Sequence, residues 1–218
     1  MAIQTVDRAS ELTTNKVLRD TYRLLSMTLL FSAFTAGVGY FLNLPHGISL
    51  VCSLVAMGLL WFVLPKMAND SRGILVVFAV TGLLGLGLGP ILNHYLATSN
   101  GTTMVATALG GTGIIFMGLS AYALITKKDF SFMGGFLMAG FIVVILAMVA
   151  NIFMNMPALS IVLSAAIILL MSGFILFDTS RIVNGGETNY IMATVGLYLS
   201  IYNIFQSLLF LLGMGGDD

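Results

Sequence analysis

The sequence predicts an all-α integral membrane protein, a bundle of seven transmembrane helices with a cytoplasmic N-terminus and a periplasmic C-terminus. Three observations carry that expectation. Of 218 residues, 58% are hydrophobic and only 8% charged, against about 45–50% and about 25% in a soluble domain. The few charges are clustered, which leaves four long runs without any. All nine Lys and Arg residues fall in connections on one side of the resulting arrangement.

The composition excludes a water-soluble enzyme and a disordered chain. Nine basic and nine acidic residues cancel, so there is no basic stripe for nucleic acid. The charge-free runs hold 42 residues between Arg23 and Lys66, 54 between Arg72 and Lys127, 48 between Asp129 and Asp178, and 29 between Glu187 and Asp217. A membrane helix needs about 20 mostly apolar residues. The first three runs accommodate two spans each and the last accommodates one.

In chain order, residues 1–21 form a polar tail of mixed charge, expected in the cytoplasm. Residues 22–218 form a single seven-helix membrane domain. The first span, 22–42, is too long for a signal-peptide core and has no evident cleavage site, so it stays in the membrane. Asn43-Leu44-Pro45-His46-Gly47 turns the chain into span 47–64. That span holds Cys52, the only cysteine, and Trp61, suited to an interface. Lys66 and Arg72 bracket the connection to span 74–96. There, Gly82, Gly85, Gly87 and Gly89 precede Pro90. Ala97-Thr98-Ser99-Asn100-Gly101 leads to span 103–125, with Gly110, Gly111, Gly113 and Gly118. Lys127 and Lys128 precede span 133–154, which carries Gly134, Gly135, Gly140 and Asn151. Asn155-Met156-Pro157 opens span 158–183, and span 190–212 completes the set.

Orientation follows from the basic residues. Arg8, Lys16, Arg19, Arg23, Lys66, Arg72, Lys127, Lys128 and Arg181 share one side, which the positive-inside rule makes cytoplasmic. The glycines permit close helix packing or line a permeation path. Gly85-Leu86-Gly87-Leu88-Gly89 is no phosphate loop, because it lacks a preceding strand and a following Lys-Ser/Thr.

Polar residues inside spans raise the functional question. Asp178 is the one carboxylate close to a strongly apolar helix body, following Phe174-Ile175-Leu176-Phe177. An ionisable group at membrane depth is costly and a candidate functional site. Arg181, one turn on, is its expected partner, with Lys66 and Arg72 as alternatives. In the last span Gly196, Ser200, Asn203 and Ser207 share one helix face; Tyr198 and Tyr202 form a second pair. These residues bind an ion or hydrogen-bond between helices. Asn151 and Asn155 invite the same two readings. His46 and His94 fall near the outer face and suit interfacial hydrogen bonding, pH sensing or metal binding. Two histidines without a nearby carboxylate or cysteine make a poor metal site, so no metal is assigned. No catalytic constellation, cofactor motif or small-molecule site is evident, and the chain reads as a non-enzyme.

Several of these segments form a recognisable pattern. Gly173-Phe174-Ile175-Leu176-Phe177-Asp178-Thr179-Ser180-Arg181-Ile182 resembles the signature of the Bax inhibitor-1 family. So do Asn189-Tyr190-Ile191 and Leu197-Tyr198-Leu199-Ser200-Ile201-Tyr202-Asn203-Ile204-Phe205. Thr81-Gly82 through Gly89-Pro90-Ile91-Leu92, Gly110-Gly111-Thr112 and Phe132-Met133-Gly134-Gly135 match as well. The tail pattern Asn15-Lys16-Val17-Leu18-Arg19, followed by Tyr22, is similar to a bacterial inner-membrane branch.

The resemblance implies two functions. Members of that branch modulate the membrane-anchored, ATP-dependent protease FtsH and are slow substrates entered from the tail. This makes Lys16, Arg19 and Asp20 candidates for protease engagement. Other members are pH-sensitive Ca²⁺ leak channels with two paired aspartates. Asp178 matches the first aspartate; the second position is Ser200 here. A lone carboxylate lacks the coupled titration of a pair, and Ca²⁺ loses a hard anionic ligand. The ion-sensing candidates are therefore Asp178, Arg181, Ser200 and Asn203, with the channel as the alternative to the protease modulator.

Overall fold

The computed structural model describes residues 2–215, with side chains described from Thr13 onward. Asp217, Asp218 and the side chain of Arg8 lie outside the described residues. Seven helices are long and apolar enough to cross a membrane: Thr13–Phe41, His46–Met67, Arg72–Leu96, Gly101–Thr126, Ser131–Met154, Pro157–Val183 and Tyr190–Met214. Among the described residues there is no strand. The chain divides into two compact units; α8 contributes to both, and so does the first helix, whose residues up to Asn15 group with the unit built on Thr103–Thr188.

One unit spans Lys16–Thr102 with Asn189–Tyr198. Its first helix, α1, runs Ala2–Phe41, about 60 Å at 1.5 Å per residue. The expected tail and first span are thus one helix. No proline or glycine occurs before Gly37, so nothing interrupts the backbone ladder at residue 21. Val17, Thr21, Leu24, Leu25, Thr28, Ser32 and Ala36 are buried at helical spacing.

Asn43 takes the left-handed conformation, with φ of 48°. Extended Pro45 caps α2, His46–Gly58. A π-helical turn, Leu59–Val63, leads into α3, Leu64–Met67. Pro65 has no N–H for the carbonyl four residues back, and its ring crowds that carbonyl. The preceding turn widens as a result.

Helix α4, Arg72–Leu96, contains Pro90, which leaves the Leu86 carbonyl without its intrahelical donor. Gly39 of α1 packs against that oxygen; a Cβ on Gly39 would sit 2.6 Å from it. A Cβ on Gly89 would lie 2.6 Å from the Gly39 Cα. The two backbones approach as closely as glycine permits. On another side of α4, Ser49 Oγ donates to the Gly87 carbonyl at 2.7 Å.

The other unit is built on Thr103–Thr188 and the part of α8 (Tyr190–Met214) from Leu199. It holds most of α5 (Gly101–Thr126), a 3₁₀ turn at Ser131–Met133, α6 (Gly134–Met154) and α7 (Pro157–Val183). Asn155 ends α6 in the left-handed conformation, with φ of 50°, and Pro157 starts α7. Asn151 Nδ2 donates to Ser160 Oγ at 2.7 Å, and its Oδ1 accepts from the Met156 N–H at 3.2 Å. Small residues again set the spacing: added Cβ atoms at Gly140 and Gly173 would meet Leu170 and Leu137.

Gly89→Ala is expected to destabilise the protein by about 1–3 kcal/mol through overpacking against α1. A Cβ at Gly110 meets nothing within 4 Å, so Gly110→Ala is expected to be neutral or slightly stabilising. Thermal unfolding in detergent distinguishes the two.

Candidate functional site

The apolar body of α7 ends in Phe177-Asp178-Thr179-Ser180-Arg181. Thr179 and Ser180 are fully buried. Ser180 Oγ donates to the Lys128 carbonyl at 2.9 Å and accepts the Phe130 N–H at 2.9 Å. Asn184 Nδ2 donates to the Ser180 carbonyl at 3.0 Å and reaches Ser180 Oγ at 3.2 Å. These bonds tie the α5–α6 connection to the end of α7. Within that connection, the hydroxyl and N–H of Ser131 hold the Asp129 carboxyl below the usual carboxylate range. The N–H contact is 2.8 Å.

Asp178 is half-buried. Among the described residues it makes no hydrogen bond or ion pair. Arg181, its expected partner, turns instead to Glu187 at 3.3 Å. The same guanidinium donates to the Gly186 carbonyl at 3.2 Å and lies over the Phe177 ring, 5.5 Å from its centroid. The reason is the chain reversal after α7. Gly185 adopts a φ of 74°, and the N–H groups of Gly186 and Glu187 both donate to the Arg181 carbonyl. That folds Glu187 back onto the helix end. Arg72, named as an alternative partner, pairs with Asp70 at 3.6 Å.

Ser200 is buried, and Asn203 Nδ2 donates back to the Leu199 carbonyl at 2.8 Å. Neither bonds to Asp178. The four ion-sensing candidates therefore do not form one hydrogen-bonded cluster.

In the unit containing α1, a seam of hydroxyls lines the interior that sequence reasoning only partly marked. Ser32 Oγ and Tyr198 Oη lie 2.6 Å apart, and Tyr198 Oη donates to the Thr81 carbonyl at 3.4 Å. Thr194 Oγ1 donates to the Thr21 carbonyl at 3.3 Å. The Thr21 hydroxyl itself is buried without a hydrogen-bond partner. Asn189 joins the start of α8 to the residues just after α3, at the end of the second span. Its Nδ2 donates to the Ala68 carbonyl at 3.0 Å and Asn69 Oδ1 at 2.9 Å, while its Oδ1 accepts the Ile191 and Met192 N–H groups. That is an N-cap. The motif Asn-Tyr-Ile carried this signal, since asparagine is favoured at helix starts.

The tail candidates occupy the opposite side of α1 from its buried stripe. Lys16, Arg19 and Arg23 are exposed at i, i+3 and i+7. Arg19 Nε lies 3.5 Å from Asp20.

The family model described as "Inhibitor of apoptosis-promoting Bax1" matches residues 14–217. The chain belongs to the Bax inhibitor-1 family. Within that family it is 56% identical over 212 residues to "Modulator of FtsH protease YccA" of Escherichia coli strain K12, covering 97% of this chain and 96% of that one. The same identity holds for "Inner membrane protein YccA" of a second E. coli strain. A Vibrio cholerae "Uncharacterized membrane protein" is 51% identical over 207 residues, covering 95% of this chain and 93% of that one. With seven membrane-length helices, the chain is an inner-membrane protein of this family, as the resemblance implied.

Two substitutions test the polar seam. Tyr198→Phe removes a buried hydroxyl that has partners and is expected to cost about 1 kcal/mol. Thr21→Val removes one that has none and is expected to stabilise by up to about 1 kcal/mol. Equal effects of the two on detergent unfolding would contradict the assignment.

Proposed function

We propose that this chain binds and modulates an FtsH-type membrane protease and is itself a slow substrate of it. One observation carries the reading: 56% identity to a named FtsH modulator over 97% of the chain. On this reading it acts as a partner and not as a catalyst. The positive-inside rule puts the Lys66, Arg72 and Arg181 end in the cytoplasm, together with the start of α1.

The exposed face of α1 supports this as the point of engagement. Lys16, Arg19 and Arg23 leave the buried stripe intact and present three cations in a row. The first turns of a helix fray at low free-energy cost, which suits entry into an unfolding protease. The Ca²⁺-leak alternative is not favoured. The second family aspartate is replaced by buried Ser200, and Arg181 is committed to Glu187.

The test is lifetime in cells with and without the protease. Removing residues 1–12 is expected to prolong the half-life several-fold only where the protease is present. Lys16→Glu with Arg19→Glu is expected to reduce co-purification with the protease and leave thermal unfolding unchanged. Half-lives that ignore the protease, or co-purification that ignores both changes, contradict the proposal.

A further inference from the structure

The chain has two histidines, His46 and His94, and the fold brings them together. Their rings stand edge to face with centroids 6.3 Å apart. The helix register explains the meeting. Helices α2 and α4 run antiparallel, joined by a short connection between Met67 and Arg72. They are pinned face to face by the Ser49 hydroxyl on the Gly87 carbonyl. A Cβ on Gly87 would touch the Cys52 Cβ at 3.4 Å, so the helices lie in close contact there. His46 lies one turn before Ser49, and His94 lies two turns after Gly87. Each imidazole therefore falls on the side of its helix that faces the other.

The backbone beneath both rings is held. Pro45 sets the first turn of α2. Asn93 Nδ2 donates to the Tyr40 carbonyl at 3.2 Å, fixing the last turns of α4. The Tyr95 ring packs on His94 with centroids 5.3 Å apart. Both imidazoles are exposed on the protein surface, at the ends of their spans beside the polar turns at Asn43 and Thr98–Asn100.

We propose that His46 and His94 form a two-imidazole site for a divalent transition cation of the Zn²⁺ or Cu²⁺ kind, clipping the start of α2 to the end of α4. Such an ion sits about 2.0–2.1 Å from a ligating nitrogen. Among the described residues no third His, Cys, Asp or Glu joins the pair, so water completes the coordination. An all-imidazole donor set favours borderline transition metals over Ca²⁺ or Mg²⁺, which require oxygen ligands. The competing reading is an aromatic contact with no ligand, since 4.5–7 Å is also the range of edge-to-face packing.

The experiment uses the full chain in detergent, without an affinity tag. Cu²⁺ binding is followed by electron paramagnetic resonance, and thermal unfolding is measured with and without Zn²⁺. The wild type is expected to take one Cu²⁺ per chain, with splitting from two equatorial nitrogens. Zn²⁺ is expected to raise its Tm. His46→Gln and His94→Gln are each expected to weaken Cu²⁺ binding at least tenfold and abolish the Zn²⁺ shift. Ca²⁺ is expected to produce no shift. The Tm without metal reports separately on folding in each variant. The proposal is overturned if the wild type binds no better than the double variant. It is also overturned if only one histidine matters, or if the variants lower the metal-free Tm and leave the metal response intact.

Discussion

Hydrocarbon offers no hydrogen bonds to a peptide group, so each buried N–H and C=O must find its partner within the protein. Most features of the fold follow from how this chain meets that demand. Seven helices satisfy their own backbones, and charges retreat to the connections. Where a proline breaks the ladder, the structure answers locally. Pro65 converts the preceding turn to a π-helix. Pro90 leaves the Leu86 carbonyl facing Gly39, a residue with no side chain to hold the helices apart. Without water to drive apolar faces together, such close backbone approach becomes the source of cohesion.

The same demand explains the fate of the polar side chains. Ser180, Asn184, Asn189 and Asn151 all serve backbone groups at helix ends, where four carbonyls or four N–H groups lack intrahelical partners. Ser32 and Tyr198 satisfy one another, and Tyr198 also donates to the Thr81 carbonyl. Much of the motif pattern in this chain is thus part of the scaffold. Ser180 of the signature segment is a three-way junction, and Asn189 is a helix cap. Asp178 remains distinct because it serves no backbone group among the described residues.

The proposed function calls for a partner surface more than for a reaction centre. The exposed cationic row on α1 belongs to a helix whose other face is anchored in a packed core. The His46–His94 pair stands at the opposite end of its unit from Lys66 and Arg72. The two ends of that unit therefore differ in chemistry: basic side chains at one, a pair of imidazoles at the other.

The seven spans were legible in the sequence because charge and hydropathy are properties of residues taken singly, and the bilayer sorts residues singly. The turns at Asn43, Asn155 and Pro157 were legible for a similar reason, since left-handed and proline-fixed conformations belong to residue types. The family was legible because its motifs are contiguous. The merging of tail and first span into α1 could be read in part, from the lack of any breaker before Gly37. What the sequence by itself left open was partnership. Proximity along α7 suggested Asp178 with Arg181, but the reversal at Gly185 delivers Glu187 to the arginine first. The two histidines stand far apart in the chain and became neighbours only through the register of α2 on α4. A pairing between side chains depends on which helices touch and at what rotation. That is set by packing over many residues at once, and no single segment contains it.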